Sequence, residues 1–213
     1  CLHFMTKKDL NQNGKYAQEL INTIEPDFVF QNKSINRFKI INNEEIYSPK
    51  NKLNLLSELK EKINSIENCN LRNSSKNLIF GSGDVNSPIM LIGEAPGEIE
   101  ERSGRPFQSE TGLLLKKMLL AINIKIEKVY ITYSINFRPP EDRKPTAKEI
   151  RRYSIFLKDH ISIINPKIII LMGSTAMESV TGSNDRISKE RGNWKEIILK
   201  DKSFPIMITF SPS

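Results

Sequence analysis

Apolar residues change their spacing along this chain, and the spacing predicts the elements. Near the start, Tyr16, Leu20, Ile21 and Ile24 recur at helical intervals and predict a peripheral helix, while residues 31 to 50 hold no period and read as a linker or loosely packed arm. Leu55, Leu56, Leu59, Ile63 and Ile66 predict a helix that begins near Leu53 and runs into "ENCNLRNSSKNLIFGSGD", where core alternation begins. Four short apolar runs follow as strands: "IMLIG" at 89–93, "VYITY" at 129–133, "IIILMG" at 168–173 and "FPIMITF" at 204–210. Helical patterns lie between them, one carried by Leu113, Leu114, Met118 and Ala121, the next by Ile150, Ile155, Phe156 and Ile163. Continuous apolar strands separated by helices describe an α/β fold, a parallel sheet covered on both faces, whose ligands sit beyond the carboxyl ends of the strands. The chain divides into an N-terminal helical extension and linker, residues 1–50, and one α/β domain, residues 51–213.

Composition narrows the class. With 213 residues and 38% apolar content, the chain suits one domain with an extension and a buried core. The apolar runs fall far short of the roughly 20 residues a spanning helix needs, and no charged-then-apolar leader opens the chain. The expectation is a cytoplasmic protein with no membrane partner, and Cys1 and Met5 are the two candidate starts. Two cysteines, Cys1 and Cys69, make neither a disulfide framework nor a CxxC zinc pair. A net charge of +7 and a pI near 9.3 suit an anionic partner such as nucleic acid. The abundance of Lys, Asn and Ile also fits an AT-rich coding bias, so the charge needs support from a site.

Three strand ends carry candidate chemistry. "GEAPG" follows the first run, so Glu94 projects from the carboxyl edge while Pro96 and Gly97 set a tight turn whose backbone N–H groups can cradle an anion or a developing oxyanion. The plainer alternative is a strand-to-helix turn with a solvated Glu. "SGRPF" brings Arg105 and Phe107 to the same loop, with Thr111 placed as the cap of the next helix. Phe107 either stacks on a flat base or plugs the core under the loop. The second strand ends in "VYITYSINFRPPEDRKPTAKEI": Pro139 and Pro140 end regular structure, Arg138 and Arg143 bracket them as phosphate contacts or solvated side chains, and Thr146 with Glu149 forms a capping box. The third ends in "LMGSTA", a helix N-terminus that either faces a phosphate or is ordinarily capped. The two histidines carry no argument, His3 in a tail and His160 on a solvated helix face. No GxGxxG or Walker loop follows any strand, which disfavours a nucleotide enzyme of the Rossmann kind.

Taken together, "IMLIGEAPGEIEERSGRPF", "VYITYSINFRPPEDRKPT", "INPKIIILMGSTAMESVTG" and "ISKERGNWKE" resemble the uracil-DNA glycosylase superfamily, family 4 type, and within it the alphaproteobacterial branch. The resemblance covers residues 50 to 213 in co-linear order. It implies a three-layer α/β/α fold with a four-stranded parallel sheet, and base-excision repair by hydrolysis of the N-glycosidic bond of uracil in DNA, with uracil-containing DNA as partner and a monomeric enzyme. In such chemistry the base leaves the stack and is held on an aromatic ring, and an oxocarbenium-like sugar and a departing base anion are stabilised. The resemblance assigns Glu94, with the backbone around Gly93, Ala95, Pro96 and Gly97, to the sugar and water, Phe107 to uracil stacking, and Arg105, Arg138 and Arg143 to DNA phosphates.

The chain departs from the family pattern in three places. The family's 4Fe–4S cluster sits on four cysteines; here Cys69 occupies one of those positions and Ile66, Phe137 and Tyr153 the others, so Cys69 is a lone remnant and no cluster, metal or other cofactor is expected. The family's base-reading Asn is replaced by Tyr133, whose hydroxyl cannot supply the paired donor and acceptor of an amide. The family's late His-Pro-Ser motif reads "FSPS", with Ser211 in the place of the His, and the wedge loop and final helix that follow in the family are absent, so the domain reads as cut short at its C-terminus. The expected function is therefore a uracil-DNA glycosylase with weakened activity; the alternative is a catalytically silent relative that binds nucleic acid, or a decaying truncated gene product.

Overall fold

A computed structural model describes residues 49–212. The helix expected over Tyr16–Ile24, the linker up to residue 48, Cys1, His3 and Met5 lie outside the described residues, while residues 49 and 50, read as the end of the linker, belong to the first described helix. Helix α1, Pro49–Asn64, places Leu56, Leu59 and Ile63 in the core, and a short α2, Asn70–Ser74, follows with Leu71 buried. Lys52, also buried, donates its ammonium hydrogens to the Ile164 carbonyl (2.7 Å) and the Val85 carbonyl (3.1 Å), so its apolar stem packs inside while its head satisfies main-chain acceptors.

The sheet has six strands in the order β1-β3-β2-β4-β6-β5. Its centre is the expected parallel set: β2 (Ile89–Gly93) between β3 (Tyr130–Tyr133) and β4 (Ile168–Met172), with β6 (Lys202–Thr209) beyond β4. Two antiparallel edges enlarge the four-stranded sheet read from the sequence, the two-residue β1 (Ser82–Gly83) on β3 and β5 (Trp194–Leu199) on β6. Neither announces itself by a continuous apolar run, because an edge strand needs only one packed face and both its ends can stay wet. Successive residues of each central strand serve opposite faces. Met90, Ile92, Tyr130, Ile169 and Leu171 pack under α5 (Ala147–Ile164) and α6 (Ser174–Thr181), whereas Leu91, Ile131, Tyr133 and Met172 pack under α4 (Glu110–Ala121). The remaining short helices are α3, Glu98–Ser103, and α7, Ile187–Glu190. The alternation makes three layers, α/β/α, as expected.

Two helices obey the expected period in a different phase. In α4 the buried residues are Gly112, Leu115 and Leu119, while Leu113, Leu114 and Met118 are exposed and Ala121 is exposed beside them. Apolar residues occupy nearly every turn of this helix, so hydrophobicity alone selects no face. Gly112 selects it: a Cβ there would overlap the Phe107 carbonyl, so the helix approaches its neighbour along the one line that carries no side chain. In α5 the buried stripe is Ile150, Tyr153, Leu157, His160, Ile161 and Ile164, and Ile155 is 65% exposed. That stripe contains two polar residues that a hydrophobic count passes over.

His160 is one of them, and it corrects the expectation of a solvated face. It is fully buried, its Nε2 lies 2.8 Å from the Tyr130 hydroxyl, and its ring stacks on Phe80 at 4.5 Å. Burial pushes its pKa down to about 3, so the imidazole is neutral and serves the core as a hydrogen-bonding aromatic. The Thr146–Glu149 capping box stands as expected at the start of α5, with the Thr146 N–H donating to Glu149 at 2.7 Å and the Glu149 N–H donating to the Thr146 hydroxyl at 3.3 Å. Among the described residues no helix is long and apolar enough to cross a membrane.

Candidate active site

Gly93 ends β2, Tyr133 ends β3, Thr175 follows β4 and Ser211 follows β6, so every parallel strand delivers residues to one edge of the sheet. A cavity of about 240 Å³ lies there, lined by the segment Gly93–Gly97 with Phe107, Tyr133 and Ser211, and by Arg143. The residues assigned to sugar, water and base thus converge. Arg105 and Arg138 lie outside this lining.

Glu94 is held by the turn after β4. Its Oε1 accepts the Thr175 N–H at 2.9 Å and the Ser174 hydroxyl at 3.2 Å, at the positive end of α6. Gly173 sits at φ +100 against the Glu94 carboxyl group, and a Cβ there would overlap it. The "LMGSTA" turn is therefore shaped around a carboxylate of the same chain, which takes the N-terminal site that a phosphate was expected to contest. Glu94 Oε2 makes no hydrogen bond among the described residues.

Glu100 is the residue that sequence reasoning missed. It is 3% exposed, and its two oxygens accept three main-chain N–H groups: Gly97 at 3.1 Å, Gln108 at 3.0 Å and Ser109 at 2.9 Å. Burial alone would raise its pKa, but the hydrogen bonds from Ser109, Gln108 and the main chain around them outweigh burial and hold the carboxyl below its ordinary value. The available signal was its place three residues into a helix headed by Gly97, the position of a capping-box Glu. Two expectations change with it. The Gly97 N–H, expected to cradle an anion, is already engaged, and the cap position of α4 falls to Ser109 rather than Thr111.

Phe107 sits in the left-handed region at φ +54, unusual for a bulky residue. Its N–H donates to the Tyr133 hydroxyl at 3.1 Å, and the two rings stack with centroids 4.7 Å apart at 18°. Both are buried, at 7% and 5% exposure. Burial pushes the Tyr133 hydroxyl far above its ordinary pKa, with the Glu100 charge adding to it, so it is a neutral phenol at any physiological pH.

The three arginines assigned to phosphates differ. Arg138 is forked onto Asp142, with Nε to Oδ1 and Nη2 to Oδ2 both at 2.8 Å, and reaches Glu101 at 3.3 Å. Arg143 pairs with both oxygens of Glu149 at 2.8 and 2.9 Å, and that hydrogen bonding holds the Glu149 pKa at about 2. Arg105 is exposed, with no side-chain ion pair among the described residues.

The four positions where the family pattern has cluster-binding cysteines also meet in space. Ile66, Cys69, Phe137 and Tyr153 belong to one buried apolar group with Leu59, Ile63, Leu71 and Ile135. Cys69 Sγ lies 3.2 Å from the Tyr153 hydroxyl, and the Phe137 and Tyr153 rings meet edge to face at 6.3 Å. One thiol, two aromatic rings and one aliphatic side chain are not a donor set for four irons. Next to them Arg152 donates to the Asn68 carbonyl at 2.8 Å and to the Glu67 carbonyl, pinning the Cys69 loop to α5.

A family model described as the uracil DNA glycosylase superfamily matches residues 80–213. The chain is 36% identical over 160 residues to a type-4 uracil-DNA glycosylase of Thermotoga maritima, covering 75% of this chain and 82% of the relative. It is 36% identical over 166 residues to one of Sulfurisphaera tokodaii, covering 74% of each, and 30% identical over 162 residues to one of Archaeoglobus fulgidus, covering 74% of this chain and 81% of the relative.

Proposed function

The chain belongs to the uracil DNA glycosylase superfamily, and from that premise we propose that it hydrolyses the N-glycosidic bond of uracil in DNA, in base-excision repair. The observation that carries this reading is the convergence of a carboxylate, an aromatic floor and the carboxyl ends of the parallel strands on one cavity. Glu94, held at one oxygen by α6, turns its negative charge toward the developing oxocarbenium and orients the attacking water. Ser211 lines the same cavity, and its hydroxyl is the group assigned to the charge that gathers on the leaving base. Of the three arginines, Arg105 is the one proposed to contact phosphate, since Arg138 and Arg143 are already paired with Asp142, Glu101 and Glu149.

A single-stranded oligonucleotide carrying one deoxyuridine tests the reading: incubation with the protein is expected to leave an alkali-labile abasic site. No cleavage above buffer, with binding retained and steeply salt-dependent, would leave a nucleic-acid-binding relative instead. The net charge of +7 supports binding under either outcome.

The reaction, as proposed, uses no iron–sulfur cluster, and none of its steps needs one. Support comes from the packing of Ile66, Cys69, Phe137 and Tyr153 into a single apolar group. Protein purified without oxygen is expected to lack the broad visible absorption of such a cluster and to carry only traces of iron. Iron and sulfide near about four atoms each per chain would overturn this.

A further inference from the structure

The ring face on which a base would stack is taken. Phe107 lies under Tyr133 at 4.7 Å and 18°, the offset arrangement that aromatic pairs favour, and at 7% exposure it has no free face to offer. Tyr133 is fixed at two points, its ring on Phe107 and its hydroxyl under the Phe107 N–H at 3.1 Å. Gly93 carries no side chain beside them; a Cβ there would come within 2.7 Å of the Phe107 ring and 2.9 Å of the Tyr133 ring. The Tyr133 ring therefore fills the space over Phe107 where a base would lie, and the absence of a side chain at Gly93 lets the two rings approach there. A planar base and this ring cannot share the same face of Phe107.

We propose, on the reading that this cavity is the nucleobase pocket, that Tyr133 occupies the base-stacking position itself and gates the entry of a base. A base reaches Phe107 only when Tyr133 leaves it and the Phe107 N–H gives up the hydroxyl. Because the competent state is the open one, the apparent affinity for a base falls by the fraction of time the pocket stands open. A smaller side chain at 133 removes that penalty.

Free uracil is the probe, titrated by calorimetry into the full chain, Tyr133→Ala and Tyr133→Phe. Tyr133→Ala is expected to bind uracil at least about tenfold more tightly than the unaltered chain. Tyr133→Phe, which keeps the ring and loses only the hydroxyl, is expected to stay closer to the unaltered chain than Tyr133→Ala does. A cooperative thermal transition checks that each variant folds; Tyr133→Leu, without a planar ring, replaces the alanine variant if that one does not. Equal affinities in the unaltered and truncated chains overturn the proposal. So does the absence of binding by both up to the solubility of uracil, because a pocket still closed with the ring removed is not closed by the ring. The glycosylase reading is judged separately, by release of uracil from DNA. Excision without any gain in the alanine variant sinks the gate alone, and a gain in uracil binding with no excision by any variant sinks the glycosylase reading alone.

Discussion

Glu94→Gln is expected to excise uracil from single-stranded DNA roughly 10²–10³-fold more slowly than the unaltered chain while unfolding at nearly the same temperature. The two halves of this expectation rest on different atoms. Glu94 Oε1 has a structural task, accepting the Thr175 N–H and the Ser174 hydroxyl at the head of α6. A glutamine carbonyl oxygen performs it equally well, losing only the charge that faces the helix dipole. The other oxygen presents the carboxylate's shared negative charge to the cavity, and an amide nitrogen there cannot stabilise a cationic sugar or accept a proton from water. Glu94→Ala, by contrast, removes both functions and is expected to lower the unfolding temperature as well as the rate. Single-turnover release of uracil, read beside thermal unfolding, separates the two. An excision rate within about threefold of the unaltered chain in Glu94→Gln would leave the residue a helix cap and take the chemistry elsewhere.

The parts of the molecule legible in the sequence are those governed by continuous burial. The run 89–93 is strand β2 to the residue, and the other three runs form the remaining parallel strands because a strand covered on both faces must be apolar throughout. Much of the site edge was legible for the same reason, since Gly93 and Tyr133 end such runs and Glu94 and Ser211 come directly after them, whereas Phe107 arrives from beyond α3. What escaped is decided by partners distant in the chain. Glu100 looks like any carboxylate of an exposed helix start until the Gln108 and Ser109 N–H groups come round to meet it. His160 reads as a surface polar residue until Tyr130 and Phe80 enclose it. The phase of α4 depends on a backbone approach at Gly112 that no hydrophobic count contains. The family resemblance placed Tyr133 where a base-reading Asn is usual, but that its ring lies on Phe107 is a fact of three dimensions.

Glu100→Ala is expected to cost about 2–4 kcal/mol of folding stability, which for a chain of this size lowers the unfolding temperature by roughly 5–15 °C. The carboxylate joins both ends of the loop that carries Phe107: the Gly97 N–H on one side and the Gln108 and Ser109 N–H groups on the other. Truncation strands three donors in a place where Glu100 itself is only 3% exposed, and each unmet donor costs more than a met one contributes. Phe107 then loses the neighbour that holds its unusual φ, so uracil excision should fall along with stability. The pH dependence identifies the charge as the cause. The Glu100 pKa is lower in the folded chain than its ordinary value of 4.5, so its contribution is fully present above about pH 4.5 and is lost as the pH falls through the folded value. The stability gap between the unaltered chain and Glu100→Gln, measured by denaturant unfolding, should therefore be widest near neutrality and narrow below pH 4.5. A gap that stays constant down to pH 3 would show that shape, and not the ionised carboxylate, holds the loop.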